Sequence, residues 1–283
     1  MPWNDKYWDT LEQIYWTPDY VGLKTLKPQQ DPAHPECLLI PRSEVPSGNS
    51  IYTRRINSKD IVAHLHRREE TLNHVLDIGL AIAPDDLIRR LIAKPLGFDD
   101  PGPYESIGRE VDLRFGITAN AFQQDGFFVS SQSALALEIK LKSSSSPEQV
   151  LKYATMLAIE EAVTGSKQNV GLLYVVPEGA EGALWRGCGL DGPTMRPDLI
   201  ELVRSRKVPG SLQRLLDVHE ERARHVLHRM VLRSVSWTWL RDEIASVEGG
   251  LDHKDPGQQC YGRLLLGLRH QIEAHADTGI RPD

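Results

Sequence analysis

The chain has 283 residues, with 33 Lys and Arg against 39 Asp and Glu, a net charge of −6, and 40% hydrophobic residues. That balance excludes a disordered or collagen-like chain, and no run approaches the ~20 apolar residues of a membrane span. The opening Met-Pro-Trp-Asn-Asp lacks a secretory pattern, and Cys37, Cys188 and Cys260 are too scattered for a disulfide framework, a zinc ribbon or a four-cysteine iron–sulfur cluster, so the expectation is a cytoplasmic protein with no membrane partner.

Residues 1–57 read as an N-terminal cap. Trp3, Tyr7, Trp8, Tyr15, Trp16 and Tyr20 crowd its start, and Pro28, Pro32, Pro35, Pro41 and Pro46 predict irregular structure after them. From Ser58 to Asp77, Ile61, Val62, Leu65, Leu72, Val75 and Leu76 recur at helical spacing. Pro84 opens a second helix to Ala93, with Asp85 and Asp86 in its first turn. Residues 107–117 alternate as a strand, with Val111, Leu113, Phe115 and Ile117 opposite Glu110, Asp112 and Arg114. Phe127 to Ser130 reads as a short strand. Residues 134–142 alternate again, Leu135, Leu137, Ile139 and Leu141 against Glu138, Lys140 and Lys142. Ser146-Pro147-Glu148-Gln149 predicts a capped helix that runs to about Thr164 and stops at Gly165. Val170 to Val176 reads as a buried strand.

The remainder is expected to be loop-rich over 178–210, a basic helix over 211–229, and helical over 258–276. Residues 230–247 stay open between strand and helix, their β-branched and aromatic start favouring strand. Residues 204–233 hold eight Lys and Arg against three acids, a local net of +5. Such a segment reads either as a solvated helix face or as a grip on a phosphate backbone through Arg222, Arg224 and Arg229. His225 and His228 share a helix face and read as solvated or phosphate-facing. The division is a cap (1–57), a core (58–177) and a basic, mainly helical C-terminal region (178–283).

The chemistry gathers on two strands. Asp112 sits on the first, and Glu138 and Lys140, two apart, share one side of the third. Two nearby carboxylates repel unless a hard divalent cation relieves them. Mg²⁺ suits such oxygen ligands and keeps water bound, with Mn²⁺ able to substitute. A lysine beside that water can orient it and offset charge developing on a phosphate.

This arrangement resembles the PD-(D/E)xK nuclease superfamily: Asp112, then Glu138-Ile139-Lys140, then a helix opening at Gln149. Gln149-Val-Leu-Lys-Tyr153 matches the QxxxY motif of the RecB-like branch, and Gly108-Arg-Glu-Val-Asp112 is similar to its glycine-to-aspartate strand. The resemblance covers about residues 58–177. It implies an α/β, restriction-endonuclease-like αβββαβ core with a mixed sheet flanked by helices. It also implies Mg²⁺-dependent phosphodiester hydrolysis, with Asp112, Glu138, Lys140, Gln149 and Tyr153 at the site. A helix acid or histidine completes such sites, here Glu70 or Glu69 ahead of His66 and Glu105. Gln149 also reads as half of a capping box and Tyr153 as core. Arg114 and Lys142 share the catalytic faces, as phosphate contacts or as solvated charge.

DNA is the expected partner, with an endonuclease ahead of an exonuclease and a homodimer if both strands are cut. Restriction, phage defence and repair fit by analogy of fold. No phosphate loop is present, so an ATPase or helicase partner would be a separate chain. The rival readings are a non-catalytic nucleic-acid-binding or assembly subunit of the same fold, and a hydrolase of RNA or small nucleotides.

Overall fold

The computed structural model describes residues 29–31, 33–41, 52–56, 69–107, 124–141, 145–194, 198–205 and 210–280. The chain divides into two units, Met1–Leu72 and Asn73–Asp283. In the first, β1 (Gln29–Asp31), β2 (His34–Pro41) and β3 (Tyr52–Ile56) form an antiparallel sheet in that order. This corrects the expectation of irregular structure. Pro35 and Pro41 lie near the two ends of β2, and the β2–β3 register shifts between Ile40 and Pro41, where a missing N–H is tolerated. The aromatic cluster before Tyr20 lies outside the described residues.

Helix α1 (Glu69–Ala81) crosses the boundary between the units. It is the described part of the helix expected over 58–77, and it runs four residues further than expected. Helix α2 (Asp85–Ile88) follows Pro84 as expected and continues into a π-type turn, Arg89–Ala93.

The second unit is built on a five-stranded mixed sheet. Its strands are β4 (Glu105–Ser106), β5 (Gly126–Val129), β6 (Ser133–Ile139), β7 (Asn169–Val176) and β8 (Val231–Ser236), in the order β4-β5-β6-β7-β8. β4–β5 and β5–β6 pair antiparallel, whereas β6–β7 and β7–β8 pair parallel. Of the strand expected over 107–117, only Ile107 is described; its N–H bonds Phe127 O at 2.9 Å, just beyond β4.

Parallel neighbours need crossovers, and helices supply them. Helix α3 (Pro147–Thr164) links β6 to β7. Ser146 caps its start, Pro147 occupies the first turn, and Gly165, at φ 94°, ends it in a conformation other residues rarely adopt. Helices α4 (Glu181–Gly187), α5 (Leu199–Arg204) and α6 (Gly210–Arg229) link β7 to β8. The first two occupy the segment expected to be loop-rich. Neither has a side-chain cap, and each forms by burying apolar residues such as Leu184, Leu199, Ile200 and Val203. The open segment 230–247 is β8 followed by α7 (Trp237–Gly249), and α8 (Pro256–Ala274) follows.

Alternate strand residues divide between two helical layers. Phe127, Ala134, Ala136, Leu172, Tyr174 and Leu232 pack with α3 and α6. Leu137, Ile139 and Val175 meet Leu91, Ile92, Leu240, Ile244 and Leu268 on the other face. All seven residues of β6 are therefore buried, so its alternation marks two covered faces. The face carrying Glu138 is covered because Ala134 and Ala136 are small enough for α3 to lie on it.

Candidate active site

Glu138 is the penultimate residue of β6, and its side chain lies on the α3 face, 3% exposed. A carboxylate so buried must be paired and hydrogen-bonded. Its Oε1 accepts from Gln149 Nε2 and contacts Lys140 Nζ, and its Oε2 accepts from Tyr153 OH. Four residues expected to share a site from sequence are thus brought together.

Gln149 and Tyr153 reach Glu138 because they lie one turn apart on α3. Gln149 forms only half of the expected capping box. Its N–H lies 3.3 Å from Ser146 Oγ, but its side chain turns to Glu138, and its Oε1 accepts from Ser145 Oγ at 2.9 Å. Tyr153 is fully buried. Burial, then the charges of Glu138 and Asp125, raise its phenol well above the ordinary value, so it remains a donor to Glu138.

Lys140 is held by its backbone. Its N–H donates to Val175 O at 2.8 Å, and its carbonyl accepts from Trp237 Nε1 at 3.0 Å. Trp237 is the first residue of α7 and is fully buried, so the C-terminal region helps to place Lys140.

Two residues not singled out from sequence join the cluster. Asp125, just before β5, accepts from Ile139 N at 2.7 Å and from Asn73 Nδ2, tying α1 to the end of β6. Its Asp-Gly context reads as an ordinary turn, which hides it. Lys152 is half-buried on α3, with its ammonium 4.9 Å from the centre of the Tyr153 ring. Burial lowers its pKa and the Lys140 charge adds to the lowering, while Glu138 and Asp125 oppose it. The spacing was readable, since Lys152 lies three residues after Gln149.

A supporting layer lies behind Gln149. Tyr174 is the register partner of Glu138 on β7, and its hydroxyl accepts from Cys188 Sγ at 3.9 Å. Tyr174 meets Trp185 edge-on, with ring centres 5.8 Å apart. Gly187 of α4 lets the Ser145 backbone pass closely: a Cβ there would stand 2.9 Å from Ser145 O.

Asp112, Arg114, Lys142 and His66 lie outside the described residues, as do the side chains of Glu69 and Glu70, which open α1. Glu105 is exposed and pairs with Val129, which itself pairs with Ala134. That places it about 13 Å along the sheet from Glu138, so the structure does not bring Glu105 to the site. Among the described residues, no group of three or more His, Cys, Asp or Glu is placed to hold a metal.

The three arginines expected to grip nucleic acid differ. Arg224 pairs with Glu201 and Glu220, at 2.6 and 2.7 Å. Arg229 is engaged by Glu161 and by Lys167 O. Arg222 is exposed, with no ion pair among the described residues. Compared with family models, curated proteins and solved structures, the chain matches none.

Proposed function

We propose that the chain is a metal-dependent nuclease with a restriction-endonuclease-like core, acting on DNA. The observation that carries this reading is the convergence of Glu138, Lys140, Gln149 and Tyr153 at one end of β6 and α3. The strand order supports it: an antiparallel β4-β5-β6 followed through a helix by parallel β7. An endonuclease acting as a homodimer in the cytoplasm remains part of the proposal.

The donor chemistry fits a hard cation at Glu138. It offers carboxylate oxygens whose positions are fixed by Gln149 and Tyr153. Asp112 and a helix acid, Glu70 first, would complete the ligand set. Bound Mg²⁺, or Mn²⁺ in its place, supplies stabilisation of charge at phosphorus and a more acidic water. The chain's own residues do the rest. Gln149 and Tyr153 hold Glu138 in one rotamer. Lys140 exchanges its contact with Glu138 Oε1 for the attacking water or a phosphate oxygen, which its N–H groups orient.

A second reading draws on the bonds that Gln149, Tyr153 and Lys140 already make to both carboxylate oxygens of Glu138. It is a non-catalytic nucleic-acid-binding subunit of the same fold. Incubating the purified chain with circular DNA, linear DNA and RNA, in Mg²⁺, Mn²⁺ or EDTA, separates the two. Metal-dependent cleavage of DNA supports the nuclease. Binding without cleavage under every metal transfers the conclusion to the second reading, and cleavage confined to RNA overturns the choice of DNA.

A further inference from the structure

The far end of α3 carries a second polar feature. A groove of about 570 Å³ is lined by Glu161 and Ser166 at that end and by Glu221, Arg222, His225 and His228 of α6. Its size is that of a ligand site, and each side chain on its wall ends in a polar or charged group.

The charges decide what it suits. Glu161 is buried, and its carboxylate is already satisfied by the Arg229 guanidinium and by Lys167 N at 2.7 Å. Arg222 contributes a guanidinium with no ion pair among the described residues, and Ser166, His225 and His228 are exposed donors. Glu221 opposes Arg222 with one negative charge. A groove rich in donors but nearly balanced in full charge suits a singly charged oxyanion. A phosphodiester carries one negative charge, whereas a terminal phosphate carries nearly two at neutral pH.

Position ties the groove to the candidate active site. Gln149 and Glu161 are twelve residues apart on α3, about 18 Å at 1.5 Å per residue. Successive phosphates of a duplex strand advance about 3.4 Å along the axis, so a strand running alongside α3 would span this interval in about five nucleotides. We infer that this groove holds a backbone phosphodiester of the bound strand about five nucleotides from the bond that is cut. The inference rests on the nuclease reading for that register.

The test is fluorescence anisotropy in EDTA, where binding is read without cleavage. Labelled duplexes are titrated across a salt series with the wild-type chain and with Arg222→Gln, an exposed position whose folding is checked by thermal melt. On a long duplex, Arg222→Gln is expected to weaken binding about tenfold and to lower the salt slope by about one. A duplex too short to reach five nucleotides past the cut should bind both proteins equally. His225→Asn with His228→Asn should weaken the long duplex by a smaller factor. Equal affinity and slope for wild type and Arg222→Gln on the long duplex would overturn the inference. So would shifts of the His225 and His228 ring resonances with inorganic phosphate or a nucleoside monophosphate but none with duplex. A groove effect on binding in a chain that never cleaves removes the nuclease reading alone. Cleavage with unaltered Arg222→Gln binding removes the groove alone.

Discussion

Two buried carboxylates mark opposite ends of β6. Asp100 is 0% exposed and Glu138 is 3% exposed, yet they are satisfied in different ways. Asp100 accepts from Ser130 Oγ, from Ser133 Oγ and from Gly102 N, the last at 3.0 Å, all neutral donors near the β5–β6 turn or in its own loop. Lys167 touches that network through Ser130 O, to which it donates at 2.8 Å. Glu138 is instead held by an amide, a phenol and the Lys140 ammonium, with Lys152 in electrostatic range. Neutral donors in fixed loops pin a carboxylate as structure. An ammonium on a flexible stem, 12% exposed, can be exchanged for a substrate group. On the proposed nuclease reading Asp100 serves stability and Glu138 serves chemistry, and substitution at either end can break that contrast.

The largest effect is expected at Glu138. Glu138→Gln keeps the shape but removes the charge, and cleavage should fall by at least about a hundredfold, with the thermal midpoint little changed. Asp100→Ala should do the reverse. It leaves the buried Ser130 and Ser133 hydroxyls without the acceptor they donate to and should cost on the order of 3 kcal/mol, read by denaturant unfolding, with cleavage by the folded fraction intact.

Asp100 also predicts a pH dependence. Burial alone would raise its pKa, but the bonds from Ser130, Ser133 and Gly102 outweigh burial and hold it below the ordinary value. A depressed folded pKa contributes stability above the unfolded pKa, and that contribution is lost as pH falls through the folded value. Wild-type melting should therefore decline on acidification below the ordinary aspartate range, and Asp100→Asn should flatten that decline.

Smaller effects are expected in the supporting layer. Tyr153→Phe removes one donor from Glu138 and should cost about 1–2 kcal/mol, while slowing turnover more than it weakens binding. Gly187→Ala sets a methyl against the Ser145 carbonyl and should cost about 1 kcal/mol. A fall in turnover without a change in binding would show that the strain passes through Ser145 to Gln149.

The same contrast explains what was legible in sequence. Helix α3 was readable nearly to the residue because its signals are local: Ser146, Pro147 and Gly165. Glu138, Lys140, Gln149 and Tyr153 were readable as a set because strand and helix periods fix which side chains share a face. The covering of that face was not, because α3 returns over β6 through tertiary packing. Asp125 was hidden inside an Asp-Gly turn signal, and Lys152 among charges that usually face water. Helices α4 and α5 lacked caps to announce them. The net charge of the basic helix could not show that Arg224 and Arg229 are tied to acids on other elements, Glu201 and Glu161.

The most direct test compares wild type with Lys140→Ala on supercoiled DNA in Mg²⁺, at matched folded concentration. The account predicts cleavage by the wild-type chain, abolished by EDTA, and loss of at least about a hundredfold in Lys140→Ala with duplex binding retained. Equal cleavage by the two proteins would contradict the assignment of Lys140 and, with it, the reading of Glu138 as the chemical end of β6.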